Sequence, residues 1–170
     1  MEPRGRSLAA VASVILLVLM IIIGIGIAAV VVGGVALTFT SGVEAKLAEG
    51  LKTTEVPTKS ELLLLFAALI LLLGMLVAML HRLRRVTLTV RNGDPFNERN
   101  PRDLRIIALL LALGQIFTTF AFLAIPDAFR GEGVRYDLDL TSWFAVLIVL
   151  VLAEVFREGA RLRAEAELTV

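Results

Sequence analysis

The sequence predicts an all-α integral membrane protein, a single domain over residues 1–170 built as a bundle of four transmembrane helices. Three observations predict it. Hydrophobic residues make up 58% of the chain, against the roughly 45–50% apolar content of soluble domains. The charged residues, 19% of the total, fall in blocks between uncharged runs of membrane-spanning length. With no cysteine and one histidine, the chain has no disulfide framework, thiolate metal site or histidine cluster. The net charge of +1 gives no bulk argument for nucleic acid, so no direct nucleic-acid binding and no cofactor are expected.

A helix needs about 20 apolar residues, each rising 1.5 Å, to cross roughly 30 Å of hydrocarbon. Spans are predicted at approximately 8–40, 62–80, 104–125 and 140–156. The first lies in an uncharged run from Ser7 to Val43, too long for the about 7–15 apolar residues of a signal peptide. It reads as an uncleaved span. Val43, Leu47 and Leu51 recur at four-residue spacing among charges, predicting an amphipathic continuation of the same helix. The fourth run, Leu140 to Ala153, is short and reaches spanning length only by continuing past Glu154 towards Phe156.

Lysine and arginine counts set the orientation. Twelve flank the N-terminus, the loop over 81–103 with Arg105, and the tail over 157–170, against five on the other side. Both termini and the middle loop are therefore expected in the cytoplasm, with the protein in a bacterial inner membrane and the bilayer as its first partner.

The middle loop is strongly punctuated. Arg82, Arg84 and Arg85 cap the second helix, where they suit its dipole and anionic lipid. Val86 to Val90 alternates with β-branched residues and predicts a short extended piece. Asn92-Gly93-Asp94-Pro95 is a turn signal, and Phe96 an isolated aromatic expected against the bundle end. Asn100 is expected to N-cap the third helix, with Pro101 at its first position and Asp103 at its third. On the far side, Val134 to Leu140 alternates as a strand or surface-lying segment, with Tyr136 and Trp143 as interfacial anchors. Past Glu154, Val155, Gly159, Leu162 and Ala166 keep helical spacing. The tip, residues 167–170, either adds a strand to an edge or frays.

The spans offer little chemistry. The uncharged cores of the first three, the third taken from Ile106, contain no ionisable residue, and Glu154 in the fourth has Arg157 three positions on as an expected partner. Gln115 is the one amide in a span, with Thr118 and Thr119 a turn away; interhelical hydrogen bonding and a polar substrate site both fit. Gly24, Gly26, Gly33 and Gly34 are expected to let another backbone approach the first helix. His81 reads as a polar cap or a pH sensor. No catalytic triad, HExxH or Walker motif can be assembled, so the chain is read as not an enzyme.

Two stretches resemble a bacterial family of small four-helix membrane proteins, the YoaS-like proteins, classed as a domain of unknown function. One is Gly93 to Asn100 with Leu104 to Ala108; the other is Ala153 to Gly159, then Leu162 and Glu167 to Val170. Pro101 and Asp103 depart from the family pattern between Asn100 and Leu104. The resemblance implies no catalytic residues. It implies a working cytoplasmic face and an association with helix-turn-helix regulators. The expected role is non-enzymatic docking or sequestration of such a regulator. Phe96, Asn100, Leu104 and Arg105 would carry one patch, and Phe156, Gly159, Leu168, Thr169 and Val170 the other. The runner-up is a small transporter or permease-like protein, with Gln115 and Glu154 on its pathway and a homo-oligomer as one form.

Overall fold

The structure is a computed structural model that describes residues 4–40, 42, 58–124 and 139–168. The described residues form four helices, α1 (Arg4–Phe39), α2 (Lys59–Arg91), α3 (Arg99–Ala124) and α4 (Leu140–Glu167). Each is long and apolar enough to cross a membrane, as a multi-pass membrane protein requires. The principal contacts follow chain order, with α1 on α2, α2 on α3, and α3 on α4.

Helix α1 packs antiparallel on α2. A Cβ placed on Gly34 would stand 3.6 Å from the Phe66 ring, so the two glycines Gly33 and Gly34 make the seat for that side chain. What approaches is therefore an aromatic ring. Gly24 and Gly26 have nothing within 4 Å, contrary to the close approach expected there. The amphipathic stretch expected at Val43, Leu47 and Leu51 lies outside the described residues, and α1 stops before reaching it. The helix ends at Phe39, Thr40 N–H closes its last turn on the Ala36 carbonyl at 3.0 Å, and Gly42 takes a φ of 84°. Left-handed backbone of that kind stops a helix and favours glycine. Residues 43–57 lie outside the described residues.

Helix α2 opens on a capping box. Glu61 N–H donates to Thr58 Oγ1 at 3.3 Å, and Thr58 N–H donates to Glu61 Oε2 at 2.8 Å. At its other end α2 stays helical to Arg91, so the extended piece expected at 86–90 is corrected to helix. Val86 is buried, and the threonine hydroxyls bond back to the preceding turn, Thr87 to the Leu83 carbonyl and Thr89 to that of Val86. Packing outweighs the weak local preference of β-branched residues.

The start of α3 also differs from expectation. It begins at Arg99, so Asn100 is inside the helix, not its N-cap, and Pro101 is the third helical residue. Asn97 accepts the Arg99 N–H at 3.1 Å instead. Proline is tolerated there because N–H groups of the first turn have no intrahelical partner. Helix α4 is capped by Asp139, whose carboxylate accepts the N–H groups of Thr141 and Ser142 at 3.1 and 3.4 Å. In the alternating segment, Asp139 and Leu140 thus serve a helix start; residues 134–138 lie outside the described residues. Helix α4 continues past Phe156 to Glu167, so the tip is helical up to that residue. Leu104, Ile107 and Ala153 form a core between α3 and α4, with Met79, Leu111, Val149 and Phe156 packed around it.

Candidate functional site

Four charged segments meet at one end of the molecule. They are α2 from His81 onward, the turn over 92–98, the first turns of α3, and α4 from Glu154 onward. Helix α2 runs roughly 16 Å beyond Leu80, its last apolar-run residue, and α4 roughly 21 Å beyond Ala153. Together they make a head standing on the spans.

The turn is built to one shape. Gly93 takes a φ of 83°, and Asp94 N–H donates to the Thr89 carbonyl at 3.0 Å. Asn97 Nδ2 donates to Asp94 Oδ2 at 2.7 Å. Asn100 is buried and joins turn to helix: its Nδ2 donates to the Pro95 carbonyl at 2.8 Å, and its Oδ1 accepts from the Thr89 hydroxyl at 2.9 Å. Phe96 at the apex lies over α4. Its ring is 5.9 Å, centroid to centroid, from that of Phe156 and sits directly on Gly159. A side chain at Gly159 would require the ring to move, because a Cβ there would overlap Phe96 Cδ1 and Cε1. The two expected patches are thus adjacent at Phe96, Phe156 and Gly159.

The strongest electrostatic feature is Asp103, read from sequence only as a first-turn acidic residue. Its side chain is 3% exposed and is held by Arg82 at 2.7 Å and Arg85 at 3.4 Å. Two arginines three apart on α2 thereby grip one carboxylate on α3. Glu154 pairs with Arg157, as the spacing predicts, and with Arg105 at 3.4 Å. All three are about half exposed, so each pair contributes only about 0–1 kcal/mol.

Arg163 ties α4 to the turn through Asp94, and bonds Glu167 at 3.0 Å. The Asn97 hydrogen bond, seconded by the Arg163 guanidinium, holds the Asp94 carboxyl below its usual range against partial desolvation. A lowered folded-state pKa means that this tie is fully present above the ordinary carboxylate value of about 3.9. It is lost as pH falls through the lowered one. The strap is therefore closed throughout the neutral range.

Of the other expected docking residues, Leu104 is buried in the core and Leu168 is the exposed cap of α4. Thr169 and Val170 lie outside the described residues.

Residues 45–170 match the family described as Protein of unknown function (DUF2975). The chain belongs to that family. No curated protein and no solved structure matches the chain. The stretch matched to DUF2975 contains α2, α3, α4 and every head residue named above, while α1 precedes it.

Within the DUF2975 stretch, Gln115 is remote from the head. It lines a cleft of about 240 Å³ between α2, α3 and α4, where Thr118 and Ser142 are its polar neighbours among apolar residues. The interhelical hydrogen bond expected of its amide is not formed among the described residues. Its backbone carbonyl instead accepts the hydroxyls of Thr118 and Thr119, at 2.9 and 2.8 Å. Gln115→Leu is therefore expected to leave stability unchanged within about 0.6 kcal/mol, the mean worth of such bonds in membranes. Thermal unfolding in detergent measures this; a loss beyond about 1.7 kcal/mol would reveal a partner.

Proposed function

We propose that the protein is a non-enzymatic inner-membrane protein whose head faces the cytoplasm and docks a soluble partner, a helix-turn-helix transcription regulator. The arginine asymmetry of the sequence supports the sidedness. One observation carries the docking: Phe96 is fixed by Gly159 and Phe156 yet remains 41% exposed. A large aromatic held rigid at a surface is the usual anchor of an interface. Elsewhere on the head, Arg91, Arg99 and Arg102 are exposed and have no ion-pair partner among the described residues. A partner with an acidic surface around an apolar pocket fits this arrangement.

The transporter reading needs a polar route between Gln115 and Glu154. The Arg105–Glu154 pair puts Glu154 level with a residue ten positions before Gln115, roughly 15 Å along α3. Ile106 to Gly114 and Val146 to Ala153 are apolar throughout. That favours docking.

Co-purification from detergent with the candidate regulator is the test, comparing wild type with Phe96→Ala, Asn100→Ala and deletion of residues 167–170. Asn100→Ala leaves buried polar groups unpaired, at about 1–3 kcal/mol, which loosens the turn without dismantling four spans. The variants are expected to insert normally and to lose the partner. If all three retain it as well as wild type, the head serves only to fold the protein. Cysteine labelling at Gly93 from outside intact cells would overturn the sidedness.

A further inference from the structure

We propose that the groove between α1 and α2, at the head end, binds the phosphate of an anionic phospholipid through Arg84. Arg84 is half-buried, its Nε is closed off from solvent, and that atom has no hydrogen-bond partner among the described residues. The neighbouring arginines are in a different state, since Arg82 and Arg85 are both engaged by Asp103. Protein atoms enclose the Nε, so a ligand must approach the two Nη atoms, which also have no acceptor among the described residues, and a phosphate oxygen is the acceptor that their planar fork suits best.

The position of Arg84 says which phosphate. Eighteen residues, five helical turns, separate it from Phe66, so it lies on the stripe of α2 that faces α1. Leu80, one turn earlier, is buried on the same stripe. Counting eighteen residues back from Gly34, opposite Phe66, brings Leu16 of α1 level with Arg84. Leu16, Ser13 and Ala9 are the buried stripe of this half of α1; none carries a negative charge, and the Ser13 hydroxyl is committed to the Ala10 carbonyl. The first turn of α1 has no acidic residue either. Arg91, seven residues on, extends the same face of α2, is exposed and has no ion-pair partner among the described residues. The groove is therefore basic and has no carboxylate among its described residues.

Depth supplies the last constraint. Arg84 stands four residues, roughly 6 Å, beyond Leu80, the end of the uncharged run. The headgroup layer occupies about 5–7 Å on each side of the hydrocarbon core, so the guanidinium sits among lipid phosphates. A choline headgroup would set its cation against Arg91, and an anionic headgroup avoids that repulsion.

Native mass spectrometry of the full-length protein in mild detergent, titrated separately with phosphatidylglycerol and phosphatidylcholine, tests the site. Arg84→Gln is compared with Arg102→Gln, which removes the same charge at the same depth on α3. Wild type and Arg102→Gln are expected to retain phosphatidylglycerol in preference to phosphatidylcholine, and Arg84→Gln to bind it about tenfold more weakly. Added phosphatidylglycerol should raise the melting temperature of wild type but not of Arg84→Gln, which without lipid should melt no lower than wild type. Equal retention by Arg84→Gln and wild type would overturn the proposal. So would equal losses in both variants, which would indicate charge alone, or no preference between the two lipids. Displacement of phosphatidylglycerol by an equal concentration of inorganic phosphate would assign the site to a soluble anion and overturn the lipid assignment.

Discussion

Replacing Arg82 and Arg85 together by alanine is expected to destabilise the protein by about 3–5 kcal/mol, the usual loss when a buried charge is stripped of its partners. Asp103 remains almost wholly enclosed, and both of its ion-pair partners come from the same turn of α2. Either arginine alone leaves the other in place, so the single variants should lose much less than the double. Adding Asp103→Leu to the double variant should recover most of the loss, because an apolar replacement of a buried ionic cluster is often neutral or better. Thermal unfolding in a fixed detergent measures all four proteins. A double variant that unfolds at the wild-type temperature would mean that Asp103 is not enclosed as described.

Gly159→Ala is the second large effect, and its sign depends on Phe96. In the wild-type background the new methyl group overlaps the ring and expels it from α4. Overpacking costs about 1–3 kcal/mol, and the displaced ring also gives up its aromatic pairing with Phe156, worth about 0.5–1.5 kcal/mol. Against this stands the gain of about 1 kcal/mol from replacing a mid-helix glycine by alanine. The net outcome is a loss. In a Phe96→Ala background the overlap disappears and only the helix preference remains, so the same substitution should stabilise by up to about 1 kcal/mol. A double-mutant cycle on melting temperatures reads the coupling. Additive effects would show that the ring does not sit on Gly159.

The four helices were legible because each apolar run is long and bounded by charge, and that pattern requires no knowledge of neighbours. The Glu154–Arg157 pair was legible for a similar reason: three residues on one helix fix the geometry locally. Two caps are equally local, Thr58 three before Glu61 and Asp139 three before Ser142, yet neither is expected from the sequence, where Asp139 falls in the alternating segment. Asp103 is different. Its partners lie 21 and 18 positions away on another helix, and only the α2–α3 crossing brings them together. Asn100 shows the complementary error, since an asparagine before a proline reads as a cap until Thr89 and Pro95 occupy its amide. Val86 to Val90 reads as extended from side-chain branching alone; burial of Val86 and the hydroxyl of Thr89 keep it helical. That Phe96 packs on the bundle end is expected from sequence, but that its seat is Gly159 is not, because 63 positions separate ring and glycine.

Anchoring α4 to the head has a consequence for the lipid around it. The uncharged part of this helix, Leu140 to Ala153, covers only about 21 Å, whereas Leu62 to Leu80 in α2 covers about 29 Å. A free helix would meet a hydrocarbon layer of roughly 30 Å by sliding along its axis or by gathering flanking charges towards the water. Helix α4 cannot slide, because a shift of one residue carries Gly159 out from under Phe96 and draws Arg163 away from Asp94. The adjustment therefore falls to the membrane, which must pucker inward along one side of the protein while keeping its full thickness beside α2. Such a dimple costs fractions of a kcal/mol for each ångström of compression and is shallower in shorter-chain lipid. A protein with one short, pinned flank is thus tuned to bilayer thickness, and its neighbours in the membrane will be those lipids that compress most readily.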